Sequence, residues 1–166
     1  FGRMMIGEDK LLSMEAIDKA EKIVYLADGL YNYRIARDSI SHNLSSKHYE
    51  DMDIVYRRTL EYMKRWKMDG YKALCDMRKT ESGLSCLYST IREVRVRKKS
   101  FADFEALALR IRSDKAYWNA FDLCREKLSF PGRMSCRLIR NGRIKIIFLL
   151  MYIGSVIKSI FRKGLI

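Results

Sequence analysis

The chain has 166 residues, 48% hydrophobic and 32% charged, a balance that excludes intrinsic disorder. One proline and nine glycines exclude collagen-like or low-complexity character. The net charge of +13 is uneven: residues 1–91 hold 15 basic and 14 acidic side chains, residues 92–166 hold 18 and 6, and no acidic residue follows Glu126. The length suits one domain with a real core. Phe1 stands where an initiator methionine would, and no secretory n-region precedes an apolar stretch, so the chain reads as a piece of something longer.

In chain order, residues 9–21 carry Leu11, Leu12, Met14, Ala16 and Ile17 at helical spacing, with Asp9 near the amino end where a carboxylate suits the exposed N–H groups. The period then changes. Ile23-Val24-Tyr25-Leu26, ended by Asp28-Gly29, reads as a short strand, and Leu30–Arg34 alternates as a second. Residues 35–46 are polar and read as a loop. From Tyr49 onward the pattern is helical, with helices predicted over 50–68, 70–80, 84–97, 101–112 and 114–128. Asp69-Gly70, Ser82-Gly83, Ser100 and Ser113 serve as punctuation, and Phe130-Pro131-Gly132 as the clearest break. A last helix is predicted from about Met134 to Arg162, with an interruption near Asn141-Gly142. The fold class that follows is mostly α with a small β element.

Cys75, Cys86, Cys124 and Cys136 form no CxxC pair, and His42 and His48 lie far from them, so a zinc site is poorly supported. Reduced structural thiols in a cytoplasmic setting are the expectation. Ile146–Ile157 is free of charge and about 18 Å long as a helix, short of a ~30 Å hydrocarbon core. Arg137, Arg140, Arg143 and Lys145 precede it and Lys158, Arg162 and Lys163 follow it. This fits a peripheral helix on an anionic membrane surface; the alternative is a core or dimer helix with solvated lysines and arginines. A nucleic-acid partner is not expected, because these charges surround an apolar stretch rather than forming one polar face.

Three polar features stand in the first fifty residues. Gly7-Glu8-Asp9 sets adjacent carboxylates at a turn before a helix, a capping feature that is also the arrangement of a general base. Arg34, Arg37, Ser39, Ser41 and His42 could donate to phosphate oxygens, and His42 could ligate a metal; the plain alternative is a polar loop. His48 reads as a surface or helix-entry residue. Asp51-Met52-Asp53 falls inside a predicted helix and reads as a solvated face, not a metal site.

The order Gly7-Glu8-Asp9-Lys10-Leu11-Leu12, a helix, Ile23–Leu26, then Tyr31-Asn32-Tyr33-Arg34 and Ser39-Ile40-Ser41 resembles the end of a family 2 glycosyltransferase catalytic domain of GT-A type. Members of that family build bacterial surface polysaccharides. The resemblance covers residues 1 to about 48. It implies that Asp9 is the catalytic base for the acceptor hydroxyl and that Glu8 shapes the acceptor site. It further implies that Arg34, Ser39 and His42 lie near the nucleotide diphosphate and its metal. The family's DxD metal motif, which precedes the GED turn, has no counterpart before Gly7. A divalent metal, Mg or Mn, is therefore expected only for an intact enzyme and none for this piece.

The organisation that follows is residues 1–48 as the end of a catalytic domain, 49–130 as a helical region, and 131–166 as a basic amphipathic C-terminal helix. The partners of the intact enzyme would be a nucleotide sugar, a glycan or lipid-linked acceptor, and an anionic membrane surface. The piece alone is expected to be inactive, cytoplasmic and membrane-peripheral. The competing reading is a non-catalytic helical interaction or membrane-docking module.

Overall fold

A computed structural model of the chain describes residues 6–24 and 46–163, together with Met4 and Leu26. Helix α1 (Glu8–Lys19) is followed by α2 (Ser46–Arg65), a 3-10 turn (Asp69–Tyr71), α3 (Lys72–Arg95), α4 (Phe101–Ser113) and α5 (Lys115–Cys124). A second 3-10 turn (Arg125–Lys127) leads to α6 (Phe130–Arg140) and α7 (Ile144–Lys163). The protein is mostly α-helical. Among the described residues there is no strand: Ile23, Val24 and Leu26 lie outside any helix or strand and are exposed, with no described strand beside them to pair with. The second expected strand, residues 30–34, lies outside the described residues.

Helix α3 is the axis of the fold, packing against α2, α4, α5, α6 and α7. It is one helix where the sequence predicted two, because Ser82-Gly83 does not break it. Gly83 instead makes room: a Cβ there would lie 2.6 Å from the Tyr117 ring of α5 and 3.3 Å from the Tyr49 ring of α2. The core around this axis includes Leu87, Ile91, Phe104, Ile111, Tyr117 and Ile139, all fully buried. Cys86, Cys124 and Cys136 are buried in it as free thiols, and burial pushes Cys86 and Cys136 up to about 11.

Helix ends follow local chemistry. The Asp103 carboxylate accepts from both the backbone N–H and the hydroxyl of Ser100, each at 2.8 Å, in a capping box that starts α4. Asp114, one residue after the punctuating Ser113, is the cap of α5 and accepts from Tyr117 N–H at 3.0 Å. Phe130-Pro131-Gly132 proves to be a helix start and not a break. Proline in the first turn forfeits no intrahelical bond, and the Ser129 hydroxyl accepts from Gly132 N–H. Gly142, at φ +70°, closes α6, and Arg143 N–H donates back to Leu138 C=O at 2.8 Å.

The interruption expected near Asn141-Gly142 divides the basic end into α6 and α7, and both belong to the core: Cys136, Ile139, Ile144 and Ile147 are buried in it. Residue 131, the expected start of the basic C-terminal helix, lies in the first turn of α6. No described helix is long and apolar enough to cross a membrane.

The two helical glycines of α3 and α7 predict opposite outcomes. Gly83→Ala is expected to destabilise the protein by about 1–3 kcal/mol, because the buried Tyr117 ring cannot move aside. Gly154→Ala, where a Cβ meets nothing within 4 Å, should gain about 0.5–1 kcal/mol from helix propensity. Urea unfolding midpoints of the two variants measure both; equal signs would contradict the packing described.

Candidate functional site

The turn that opens α1 is held by its glycine. Gly7 has φ +83°, and a Cβ there would come within 2.5 Å of Val55 Cγ2 on α2. Leu11 and Met14 are buried, and Met14 Sδ lies 3.8 Å from Thr59 Oγ1. At the other end of α1, Asp18 accepts from Trp66 Nε1 at 2.8 Å and pairs with Arg65. The helix is thus fixed along its length on α2, while Glu8 and Asp9 stand exposed in its first turn. Asp9 Oδ1 accepts from the Lys10 N–H at 2.7 Å.

Beside α1 runs an apolar groove of about 280 Å³ between α1, α2 and α3. Met14, Tyr56, Trp66 and Tyr71 supply much of its wall, and Lys10 and Arg78 supply cations. Glu8 and Asp9 are not among its lining residues; Lys10, next in the chain, is. The groove's inner wall includes Lys79, whose side chain is 2% exposed.

Lys79 is the centre of a polar network that the sequence did not announce. Its Nζ donates to Asp53 Oδ1 at 2.5 Å and to Asp114 Oδ2 at 3.0 Å. It also lies 5.6 Å from the Tyr49 ring centre and 5.1 Å from that of Tyr56. Tyr49 Oη donates to Asp114 Oδ2 at 2.7 Å. Tyr56 Oη donates to the buried Asp76 at 2.7 Å, and Lys72 Nζ donates to the same carboxylate at 2.7 Å. Tyr49, Asp53 and Tyr56 recur at i, i+4 and i+7, one face of α2 turned toward α3. Burial and these carboxylate partners raise both tyrosines well above the ordinary phenol range. Burial also pushes the Asp114 carboxyl up, but donation from Tyr117 N–H, Tyr49 Oη and Lys79 outweighs it and holds the group below the usual range. With its ammonium committed to two carboxylates and two ring faces, Lys79 is a structural cation and not a nucleophile.

Two expectations for this region are overturned. Asp51 is fully buried and Asp53 gives one oxygen to Lys79 and the other to Arg57 at 3.1 Å, so Asp51-Met52-Asp53 is not a solvated face. Nor do these carboxylates fit a divalent metal, since both Asp53 oxygens already face cations. His48 stands at the entry to α2, one of the two places expected for it, but not at the surface: it is 2% exposed, and burial depresses its pKa against the opposing pull of Asp51. Arg34, Ser39 and His42 lie outside the described residues. The partners of Lys79 are 26 and 35 positions away, and the only sequence signal for them was the polar i, i+4, i+7 stripe of α2.

No protein-family model, no curated protein and no solved structure matches the chain.

Lys79→Met is expected to lower stability at neutral pH by on the order of 3 kcal/mol, leaving Asp53 and Asp114 without their shared cation. The pH dependence carries the sign. Asp114 is depressed in the folded protein, so its contribution is present above its ordinary value and lost as pH falls through the folded one. The variant lacks that contribution, so its deficit should hold at neutral pH and shrink as pH falls below about 4. Urea unfolding of both proteins from neutral pH to below about 4 checks it; a constant deficit would contradict the assignment.

Proposed function

We propose that the chain is the C-terminal portion of a nucleotide-sugar-dependent, inverting glycosyltransferase of family 2, acting in bacterial surface polysaccharide synthesis. One observation carries this reading: Glu8 and Asp9 are exposed on a helix pinned at both ends, through Gly7 on Val55 and Asp18 on Trp66. A base must meet its substrate in a fixed position, and a carboxylate on a helix anchored this way meets that demand. The ordered resemblance of residues 7–41 supplies the reaction class. The tertiary packing supplies a reason for the glycine of the turn.

In this reading Asp9 accepts the proton of the acceptor hydroxyl as its oxygen attacks the anomeric carbon and the nucleoside diphosphate departs. Glu8 shapes the acceptor side. Arg34, Ser39 and His42 donate to the departing diphosphate as its charge develops. Residues holding a divalent metal would come from elsewhere in the intact enzyme, because Asp51 and Asp53 do not fit one. The aromatic groove beside α1, which reaches Lys10 but not Asp9, supplies apolar surface suited to the ring faces of a sugar or to the first isoprene units of a lipid-linked acceptor.

The competing reading is a helical module without chemistry. It is favoured by the apolar face of α7 and by the structural use of Lys79, the most deeply buried cation of the candidate site.

The test is made on the product of the complete reading frame, assayed for sugar transfer from nucleotide sugars to glycan and lipid-linked acceptors. Asp9→Asn should lower kcat by at least about 10²-fold while leaving the far-UV circular dichroism and the urea midpoint unchanged. A variant with an undiminished rate, or a complete product without transfer activity, would leave the non-catalytic module as the better account.

A further inference from the structure

Helix α7 is apolar on two opposite faces. Ile144 and Ile147 are buried in the core, as is Ser155, which receives the Arg95 guanidinium. On the other side Ile146, Leu150, Ile153, Ile157 and Ile160, spaced 4, 3, 4 and 3, form a stripe in which each residue is 44 to 65% exposed. No charge interrupts it over about 21 Å of helix. A solvent-facing aliphatic stripe of that length is a binding surface in want of an occupant.

The surroundings of the stripe select the occupant. Lys145 and Lys158 are exposed at its flanks, and Arg137 and Arg143 are exposed on and just after α6. Helix α6 extends the face with Phe130 and Met134, 69 and 37% exposed. Between α3, α6 and α7 a groove of about 560 Å³ opens on the same side, with Met134, Leu150 and Gly154 along it and the exposed Arg92 among its lining residues. No acidic residue follows Glu126. A second copy of the chain laid on this stripe would bring like charges together, whereas an anionic lipid surface offers both hydrocarbon and counter-charge.

We propose that the outer faces of α6 and α7 form a preformed docking face for an anionic bilayer. The aliphatic stripe enters the acyl boundary, and Lys145, Lys158 and Arg137 reach the headgroup phosphates. The other side of α7 is already locked in the core, so the face docks as a rigid body without a coil-to-helix transition. This distinguishes it from a basic tail that folds on contact, since Cys136, Ile139, Ile144 and Ile147 of the same helices already belong to the core. The proposal is independent of the role of Asp9.

The full chain is sedimented with vesicles of phosphatidylcholine alone and with about 30% phosphatidylglycerol. Binding is expected to the anionic vesicles, weakened by salt, with unchanged helical ellipticity. Ile153→Asn with Ile157→Asn should reduce partitioning at least about tenfold, and the urea midpoint should hold, because both side chains point to solvent. Lys145→Gln with Lys158→Gln should reduce binding and its salt dependence while leaving the fold intact. Equal binding to neutral vesicles, binding that survives the isoleucine variant, or a large gain of helix on binding would each overturn the proposal. So would light scattering that finds a dimer dissociated by the isoleucine variant together with no vesicle binding, which would assign the stripe to a second copy.

Discussion

One ammonium group ties together three parts of this fold. Lys79 rises from the middle of α3 and draws in Asp53 of α2 and Asp114, the cap of α5. Burying an ammonium is costly unless carboxylates and hydrogen bonds surround it, so the arrangement tolerates few alternatives. Asp114 must be both cap and counter-ion, giving Oδ1 to Tyr117 N–H and Oδ2 to Lys79 and Tyr49. A shift of α2 by one residue would move the Tyr49–Asp53–Tyr56 stripe about 100° around its helix and strand the charge. The network thereby couples the alignment of α2, α3 and α5.

That alignment is what lets the apolar packing close. Tyr117 reaches from α5 to donate to Thr80 C=O at 3.2 Å and passes over Gly83, whose missing side chain admits the ring. Tyr49 leans on the same glycine from α2, 6.4 Å from Tyr117 by ring centres. The polar register and the aromatic packing are therefore two expressions of one contact between three helices. On the far side of α3, Phe101 and Phe104 of α4 meet Phe148 of α7 edge to face, which brings the basic end of the chain into the same body.

How much of this was legible in the sequence follows from how local each cause is. Helices α1, α2 and α4 were readable because their apolar period and caps lie within a few residues; Ser100 with Asp103 is the clearest case. Pro131 was readable as punctuation but not in its sense, since proline both ends helices and opens them. Gly83 looked like a stop because its reason sits on α5, 34 positions along the chain by sequence number. The left-handed residues that end α2 and α3 are Lys67 and Arg97, with φ of 55° and 58°, where a glycine would have given the stop away. The charge-free run 146–157 read as a single apolar unit, whereas packing divides it into a buried side and an exposed one. In the candidate site, Glu8 and Asp9 were legible from their turn, but nothing local foretold that Asp51 and His48 would be buried.

The exposed carboxylates of α1 depend on this interior more than their position at the surface suggests. Helix α1 packs chiefly on α2, through Gly7 on Val55, Met14 on Thr59 and Asp18 on Trp66. Val55 and Thr59 follow Asp53 and flank Tyr56 on α2, so the surface that receives α1 and the surface that receives Lys79 belong to one short stretch of helix. Whatever sets the register of α2 against α3 also sets where the first turn of α1 stands. A base carried on this platform would inherit its position from an ion pair in the core.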